Sequence, residues 1–246
     1  MDRSIGRACA RRQAEYSLRV KRIGQSTLVR VLASAAVFTL VYLVMYGVTH
    51  SAWNRERIYR TLVNGAKEDQ QIAAIDLVYY RAQPQLVRAL RAYSPTTREL
   101  AQNSLLDMWQ HAAGEKAFRY LQVSQKAIDK KDYVLALEVL DRVVKKYPAF
   151  AEGWNRRGTL HWLLGQYDLS ISDGERVLAL NPDHFGAWQG LGLCHFKRGN
   201  FVKAYEAVRT SLRINPHDEN AQEFLKKCEE MLDKHRPKLD PRGTVI

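Results

Sequence analysis

Cysteine, proline and glycine are scarce in this chain of 246 residues, which contains only 3, 7 and 14 of them. Cys9, Cys194 and Cys228 are odd in number and far apart, which excludes a disulfide framework and a zinc site built on CxxC pairs. The common catalytic motifs are missing as well, namely the P-loop, GxSxG, HExxH and a GxGxxG followed by an acidic residue. We therefore expect a protein that is not an enzyme, with no catalytic residues, no metal site and no cofactor.

Basic residues are concentrated at the amino terminus. The chain carries a net charge of +12, and residues 1–30 hold eight basic and two acidic residues, a net +6. Such a segment is typical of an organelle-targeting peptide, or of the flank that stays on the cytosolic or matrix side of a membrane helix. We keep both interpretations for residues 1–30.

An uncharged run follows at residues 31–49. A helix of this length reaches about 28 Å, close to the hydrocarbon thickness of a bilayer. A buried core helix would show a polar face, and a secretory signal sequence would have a shorter basic lead, so both are poorer interpretations. We predict a single amino-terminal transmembrane helix at 31–49.

Residues 52–115 have apolar stripes at helical spacing but no regular period. Pro84 and the Ser94-Pro95 pair separate the stripes, because proline suits the first turn of a helix and serine suits its N-cap. Gly114 ends the last stripe. The pattern predicts an irregular helical spacer of three short helices.

A repeat of 34 residues occupies the carboxy-terminal half, with units at 117–150, 151–184 and 185–218. Each unit has an aromatic residue near its start, a turn residue between its two helices and a proline near its end. These residues are Tyr120, Trp154 and Trp188; Lys131, Gly165 and Gly199; and Pro148, Pro182 and Pro216. The first unit is degenerate, with Ser124 where the later units have glycine.

This pattern is identified as that of tetratricopeptide (TPR) repeats. The resemblance implies an all-α fold in which residues 116–218 form an α-solenoid of three antiparallel helix pairs. Each pair has an apolar face that only a neighbour can bury, so we expect the amphipathic segment 219–234 to form a capping helix. The tail at 235–246 contains two prolines and a glycine, and we expect it to be flexible.

Residues 105–218 also resemble membrane-anchored TPR proteins of alphaproteobacteria and their organellar relatives. The similarity rests on three stretches, which are AEGWN at 151–155, LALNPDHFGA at 178–187 and GLG at 190–192. This chain departs from those proteins at Arg156 and Asp183. The resemblance implies a fold and a lineage, and it brings no particular mechanism.

The first helix of each unit lines the concave groove of TPR solenoids. The family's groove offsets give a mixed surface of amides and apolar anchors, which suits an extended or helical peptide of a protein partner. The candidate groove residues in this chain are Gln125, Asn155, Arg156, Thr159, Trp162, Gln189, Leu193 and Phe196.

TPR domains that bind chaperones hold a terminal carboxylate with basic and amide side chains. At those offsets this chain has Leu121, Gln125, Arg156, Gly186 and Gly190, of which only Arg156 is a cation. We therefore predict that the carboxy-terminal tails of Hsp70 and Hsp90 are not partners of this groove.

Together these features predict a membrane-anchored TPR scaffold that assembles protein partners at an organelle membrane. The preferred location is the mitochondrial inner membrane, with a plastid or bacterial inner membrane as alternatives. One alternative function is a permanent accessory subunit of a large membrane complex of respiratory or translocase type. Another is an RNA- or ribosome-associated helical-repeat protein, although the groove has no continuous basic stripe to bind nucleic acid.

Overall fold

A computed structural model of the protein describes residues 30–235, in which every regular element is a helix. The chain divides into two compact units, Met1–Asn54 and Arg55–Ile246. The predicted basic segment, apart from Arg30, and the predicted tail, apart from His235, lie outside the described residues.

The compact unit Met1–Asn54 contains one long apolar helix, α1, described over Arg30–Thr49. It has 20 residues with a mean hydropathy of 2.1, and its side chains are exposed. The hydroxyl groups of Ser34 and Thr39 donate to backbone carbonyls one turn earlier, so neither leaves an unpaired donor. By length and composition alone, α1 can cross a bilayer.

Four helices precede the repeats, where the sequence pattern predicted three. They are α2 (Ala52–Asn64), α3 (Lys67–Tyr79), α4 (Gln83–Ala89) and α5 (Pro95–Gln110). The prediction missed α2 because it buries only Ile58 and Leu62 as apolar side chains, which is too few to give a visible stripe. The predicted start of α5 is confirmed, since the Ser94 hydroxyl accepts a hydrogen bond from the backbone N–H of Thr97.

Seven helices follow, and they pair as the 34-residue period requires. They are α6 (Glu115–Asp129), α7 (Tyr133–Lys146), α8 (Ala151–Leu163), α9 (Tyr167–Leu180), α10 (Phe185–Lys197), α11 (Phe201–Ile214) and α12 (Glu219–Lys234). The first six form three antiparallel pairs. The seventh covers the last pair, with Ala221 and Cys228 buried against it. The all-α solenoid with three units and a closing helix is thus confirmed.

The turn inside each unit needs a residue with a left-handed backbone. Lys131, Gly165 and Gly199 have φ angles of 60°, 73° and 76°. Glycine adopts this conformation without steric cost, whereas lysine is strained there. The degenerate first unit therefore keeps the backbone geometry of the family although it lacks the favoured residue.

Small residues let the two helices of a unit approach closely. A Cβ atom on Gly192 would lie 2.6 Å from Cγ2 of Val208, and one on Gly158 would lie 3.2 Å from Cβ of Asp173. A side chain at Gly192 would therefore collide with Val208, and one at Gly158 would press on Asp173.

The aromatic residue that opens a unit also fixes the loop before it. The indole N–H groups of Trp154 and Trp188 each donate to the carbonyl of a loop proline, Pro148 or Pro182, over 3.0 Å. One period later, the Gln222 amide donates to the carbonyl of Pro216 over 2.7 Å. The same latch thus holds each junction between a unit and the element that follows it.

The predicted spacer shares a core with the TPR repeats, which lie in the same compact unit. The Trp109 ring of α5 stacks on the ring of His184 with 4.4 Å between centroids, and it also contacts Phe185. The Gln83 amide donates to Oδ1 of Asn181 over 2.9 Å. The segment is therefore a structural part of the repeat domain and does not act as a separate spacer.

Removing the Trp109 ring should destabilise the whole repeat domain. Trp109 is 5% exposed, so we expect Trp109→Ala to lower the free energy of unfolding by about 3–5 kcal/mol through the cavity that it leaves. Tyr93 is fully exposed on the same segment, and Tyr93→Ala should change that free energy by less than about 0.5 kcal/mol. Urea unfolding of the detergent-solubilised full chain measures both. Equal small losses would mean that α5 does not share the repeat core.

Candidate functional site

A cleft of about 260 Å³ lies between the first helices of the second and third units. One wall comes from α8 and the other from α10, while the base lies on α9. The α8 wall presents Asn155, Thr159 and Trp162, and the α10 wall presents Gly186, Gly190 and Leu193. Residues of both walls recur one turn apart, so each wall is one face of a helix.

Glycine keeps the α10 wall open. A Cβ atom on Gly190 would meet no atom within 4 Å, and one on Gly186 would touch only the His184 ring, at 3.5 Å. In contrast, a Cβ atom on Gly174 in the base would lie 2.9 Å from Cδ2 of Leu191. Gly174 therefore serves packing, whereas Gly190 leaves empty space in the cleft.

Some polar groups of the α8 wall have hydrogen-bond partners within the protein, and one does not. The Thr159 hydroxyl donates to the carbonyl of Asn155 over 2.9 Å, and the Asn155 amide donates to Oε2 of Glu152 over 3.2 Å. The indole N–H of Trp162 is shielded from solvent and has no hydrogen-bond partner among the described residues. Buried donors are nearly always paired, so this N–H is an exception among the described residues.

Five of the eight predicted groove residues line this cleft, namely Asn155, Thr159, Trp162, Gln189 and Leu193. The Gln189 amide is already engaged, since it donates to Oδ2 of Asp218 over 2.7 Å. Phe196 lies outside the cleft lining, because its ring packs against Phe201 and Phe224 with centroids 5.3 Å apart. The closing helix α12 thus contacts a residue that the sequence assigned to the ligand.

The remaining two predicted residues, Gln125 and Arg156, belong to a polar network that joins the first unit to the second. Arg156 Nη1 donates to Oε1 of Gln125 over 3.1 Å, and its Nε donates to Oε1 of Glu152 over 2.8 Å. Glu152 in turn lies 3.2 Å from Nε2 of His184, and both are almost fully buried. Arg156 is therefore engaged in the domain's own network.

His184 has a defined protonation pattern in this network. Its Nδ1 accepts a hydrogen bond from the backbone N–H of Ala187, which caps α10. In the neutral ring the proton therefore sits on Nε2, which donates to Glu152. Sequence reasoning missed this pair, because 32 residues separate the two side chains and histidine is an uncommon cap.

The network favours an ionised Glu152. Burial by itself raises the pKa of this carboxyl, but the hydrogen bond from His184 and the positive charge of Arg156 outweigh it and hold the pKa below its ordinary value of 4.5. The negative charge at this end of α8 is thus stabilised by its neighbours.

A second ionic cluster fixes the scaffold behind the cleft. Arg157 donates to both carboxylate oxygens of Asp173, over 2.9 and 2.7 Å, and to Asp141 over 2.8 Å. The hydrogen bonds to Asp173 in particular raise the pKa of Arg157. Since the three residues come from α8, α9 and α7, the cluster joins the first unit to the second.

The described thiols are poor nucleophiles. Cys194 and Cys228 are fully buried, and burial raises the pKa of each, that of Cys228 to about 11. Within residues 30–235, no group of three His, Cys, Asp or Glu side chains is placed to hold a metal ion.

The pH dependence of stability should reveal the Glu152 carboxylate. Because folding lowers its pKa, the carboxylate stabilises the fold above its ordinary pKa, and this contribution is lost as the pH falls through the lowered value. We expect Glu152→Gln to cost about 1–3 kcal/mol near neutral pH, and to lose less additional stability on acidification than the unchanged chain.

Urea unfolding at neutral pH and at a pH below 4.5 measures this difference. Glu138 is exposed, so Glu138→Gln serves as a control and should follow the unchanged chain. Parallel losses in all three proteins would contradict a lowered pKa for Glu152.

Comparison with known proteins supports the repeat assignment. Two family models described as tetratricopeptide repeat match residues 125–176 and 161–228. A TPR repeat-containing protein of Rhizobium etli is 34% identical over 146 residues, which cover 59% of this chain and 72% of the relative. The small glutamine-rich tetratricopeptide repeat-containing protein 2 of Saccharomyces cerevisiae is 30% identical over 42% of this chain, which spans only 29% of the yeast protein.

Two solved structures are similar to part of this chain at low identity. The first TPR domain of Spaghetti (RPAP3), bound to an HSP90 peptide, is 19% identical, covers 48% of this chain and 94% of that domain, and has a TM-score of 0.47. An O-GlcNAc transferase mutant of Thermobaculum terrenum is 22% identical over 52% of this chain and 24% of the transferase, with a TM-score of 0.45.

The names of the Rhizobium etli and Saccharomyces cerevisiae relatives describe their repeats and no reaction. The comparisons give no support to the prediction that the carboxy-terminal tails of Hsp70 and Hsp90 are excluded. With two matching repeat models and a relative covered over most of its length, this chain belongs to the tetratricopeptide repeat family.

Proposed function

We propose that this protein is a membrane-tethered scaffold that binds a segment of a partner protein in the cleft between α8 and α10. Protein–protein interaction through TPR units is the function that the family supports. The observation that carries this proposal is the glycine wall of α10, open at Gly190, which faces the α8 wall of Asn155, Thr159 and Trp162.

The chemistry of the cleft indicates what kind of segment fits. Gly186 and Gly190 let a partner backbone approach α10 closely. Leu191, Leu193 and Trp162 line the cleft and offer apolar contact. The volume of about 260 Å³ is below the roughly 300–1,000 Å³ of small-molecule sites. We therefore propose an extended peptide that anchors itself with an apolar side chain.

Membrane tethering is the second part of the proposal. It is supported by α1, whose 20 residues and mean hydropathy of 2.1 match a bilayer span, and by the net +6 charge of residues 1–30. We assign the mitochondrial inner membrane as the location, with a plastid or bacterial inner membrane as the alternatives that fractionation would separate.

Filling the cleft should abolish partner binding without harming the fold. The Cβ atom of Gly190→Ala enters open space, so this variant should be more stable by about 0.5–1 kcal/mol through the helix preference of alanine and should still bind. Gly190→Phe should occupy the cleft and lower the recovery of crosslinked partner at least tenfold.

Crosslinking in native membranes, followed by mass spectrometry, identifies the partner bound to the unchanged chain. The amount of that partner recovered with each variant is then compared at equal protein level. Undiminished recovery with Gly190→Phe would place the binding site elsewhere on the protein.

Charges placed in α1 should release the protein from membranes. We expect the unchanged chain to stay in the pellet after carbonate extraction, and Leu40→Arg/Val44→Arg to move to the supernatant, since each arginine costs about 2.5–3.5 kcal/mol in the middle of a span. Leu40→Met/Val44→Leu is the matched control and should stay in the pellet. An unchanged chain that is extracted by carbonate would overturn the anchor and leave the cleft proposal standing.

A further inference from the structure

One edge of the repeat stack carries nearly all of its exposed aliphatic side chains. The three turns inside the units lie along this edge, because antiparallel pairs place every such turn at the same end. We define the turn edge as residues 129–135, 163–169 and 197–203. Six of the seven large apolar side chains exposed in the described repeats belong to it. They are Val134, Leu135, Leu163, Leu164, Leu169 and Val202.

Comparison between units shows that the fold does not require these residues. The second unit has Leu163 and Leu164 at the end of α8. At the matching positions, one period earlier and one period later, the chain has Asp129 with Lys130, and Lys197 with Arg198. Charged residues therefore fit the same turn in the first and third units. The exposed leucines of the second unit need a reason other than the fold.

The turn edge carries five cations and three carboxylates, a net charge of +2. Lys130, Lys131, Lys197 and Lys203 are exposed and form no ion pair within the part of the chain that the structure describes. Of the acidic residues, Asp168 pairs with Arg198. Asp132 accepts from the N–H of Leu135 and Asp129 accepts from Gln125, and these neutral donors leave both carboxylates charged.

A cavity of about 760 Å³ opens at the third-unit end of this edge. Its apolar lining includes Phe201, Val202 and Leu232, and the cation Lys203 also lines it. An apolar hollow beside a cation matches an amphiphile with an anionic head.

We propose that the turn edge rests on an anionic bilayer surface, with its leucine and valine side chains in the interfacial layer and its lysines among the headgroups. The aliphatic residues are spread over three successive turns, which suits a continuous apolar medium better than the single pocket that a protein hot spot needs. Lysines near a membrane surface are attracted by anionic lipid. The inference rests on the proposed tether α1 for the source of the bilayer.

The test places a fluorophore on the turn edge of the full chain in nanodiscs. An environment-sensitive dye is attached at Leu164→Cys on a Cys9→Ser background, and the buried thiols of Cys194 and Cys228 stay unlabelled. We expect emission to shift to the blue, and a lipid-borne quencher to act, in an equal mixture of phosphatidylcholine and phosphatidylglycerol. The dye at Val123→Cys, which is similarly exposed but lies off the edge, should show neither effect.

Matched charge variants separate the turn edge from the net charge of the domain. Lys197→Glu/Lys203→Glu should abolish the blue shift at position 164. Lys116→Glu/Lys145→Glu makes the same charge change at the opposite edge and should leave the shift intact. Pure phosphatidylcholine nanodiscs should also give no shift.

Other outcomes would overturn the proposal. Identical emission in detergent, in neutral nanodiscs and in anionic nanodiscs would show that the turn edge does not contact the bilayer. A photo-crosslinker at position 164 that captures a protein and no lipid in native membranes would assign the edge to a protein partner. If the chain does not enter nanodiscs at all, the tether fails, and flotation of the full chain with anionic vesicles then tests the turn edge alone.

Discussion

The side chain of His184 joins three parts of the repeat domain that are distant in sequence. Its Nδ1 caps α10, its Nε2 faces Glu152 of α8, and its ring lies against Trp109 of α5. Each contact restricts the ring in a different direction. The α10 wall of the cleft begins at this capped end, so the cleft geometry depends on the same residue.

A buried charge at this point has a cost that its neighbours offset. Glu152 loses most of its hydration, and such a group is stable only when it is fully hydrogen-bonded. Its two carboxylate oxygens accept from Arg156, Asn155 and His184. Breaking any one contact leaves the charge less compensated, which makes the register between the second and third units strongly specified.

The period of 34 residues made the repeat architecture predictable, whereas contacts between units were not. The aromatic residue near the start of each unit, the turn residue and the proline recur because every unit packs in the same way. Lys131 shows that the turn geometry persists even where glycine is absent. Helix α2 escaped prediction, since two buried aliphatic residues, Ile58 and Leu62, give too weak a pattern. The packing of Trp109 on His184 depends on how α5 folds back, which no local pattern encodes.

The family offsets place five of the eight predicted groove residues along one cleft, and Phe196 is an exception. Asn155, Thr159 and Trp162 lie on the middle unit, which has a neighbour on each side, and all three line the cleft. Phe196 belongs to the last unit, where the closing helix contributes Phe224 and engages the ring. The end of the stack thus follows different packing rules from its middle.

The glycines of α10 make the strongest argument that the cleft has a role beyond packing. Glycine inside a helix costs about 0.5–1 kcal/mol relative to alanine. Gly192 recovers this cost, because any side chain there would collide with Val208. No packing among the described residues offsets this cost at Gly190, since a Cβ atom there would meet only empty space. A helix position that forgoes stability without improving its own packing is explained when another molecule occupies the space that it leaves.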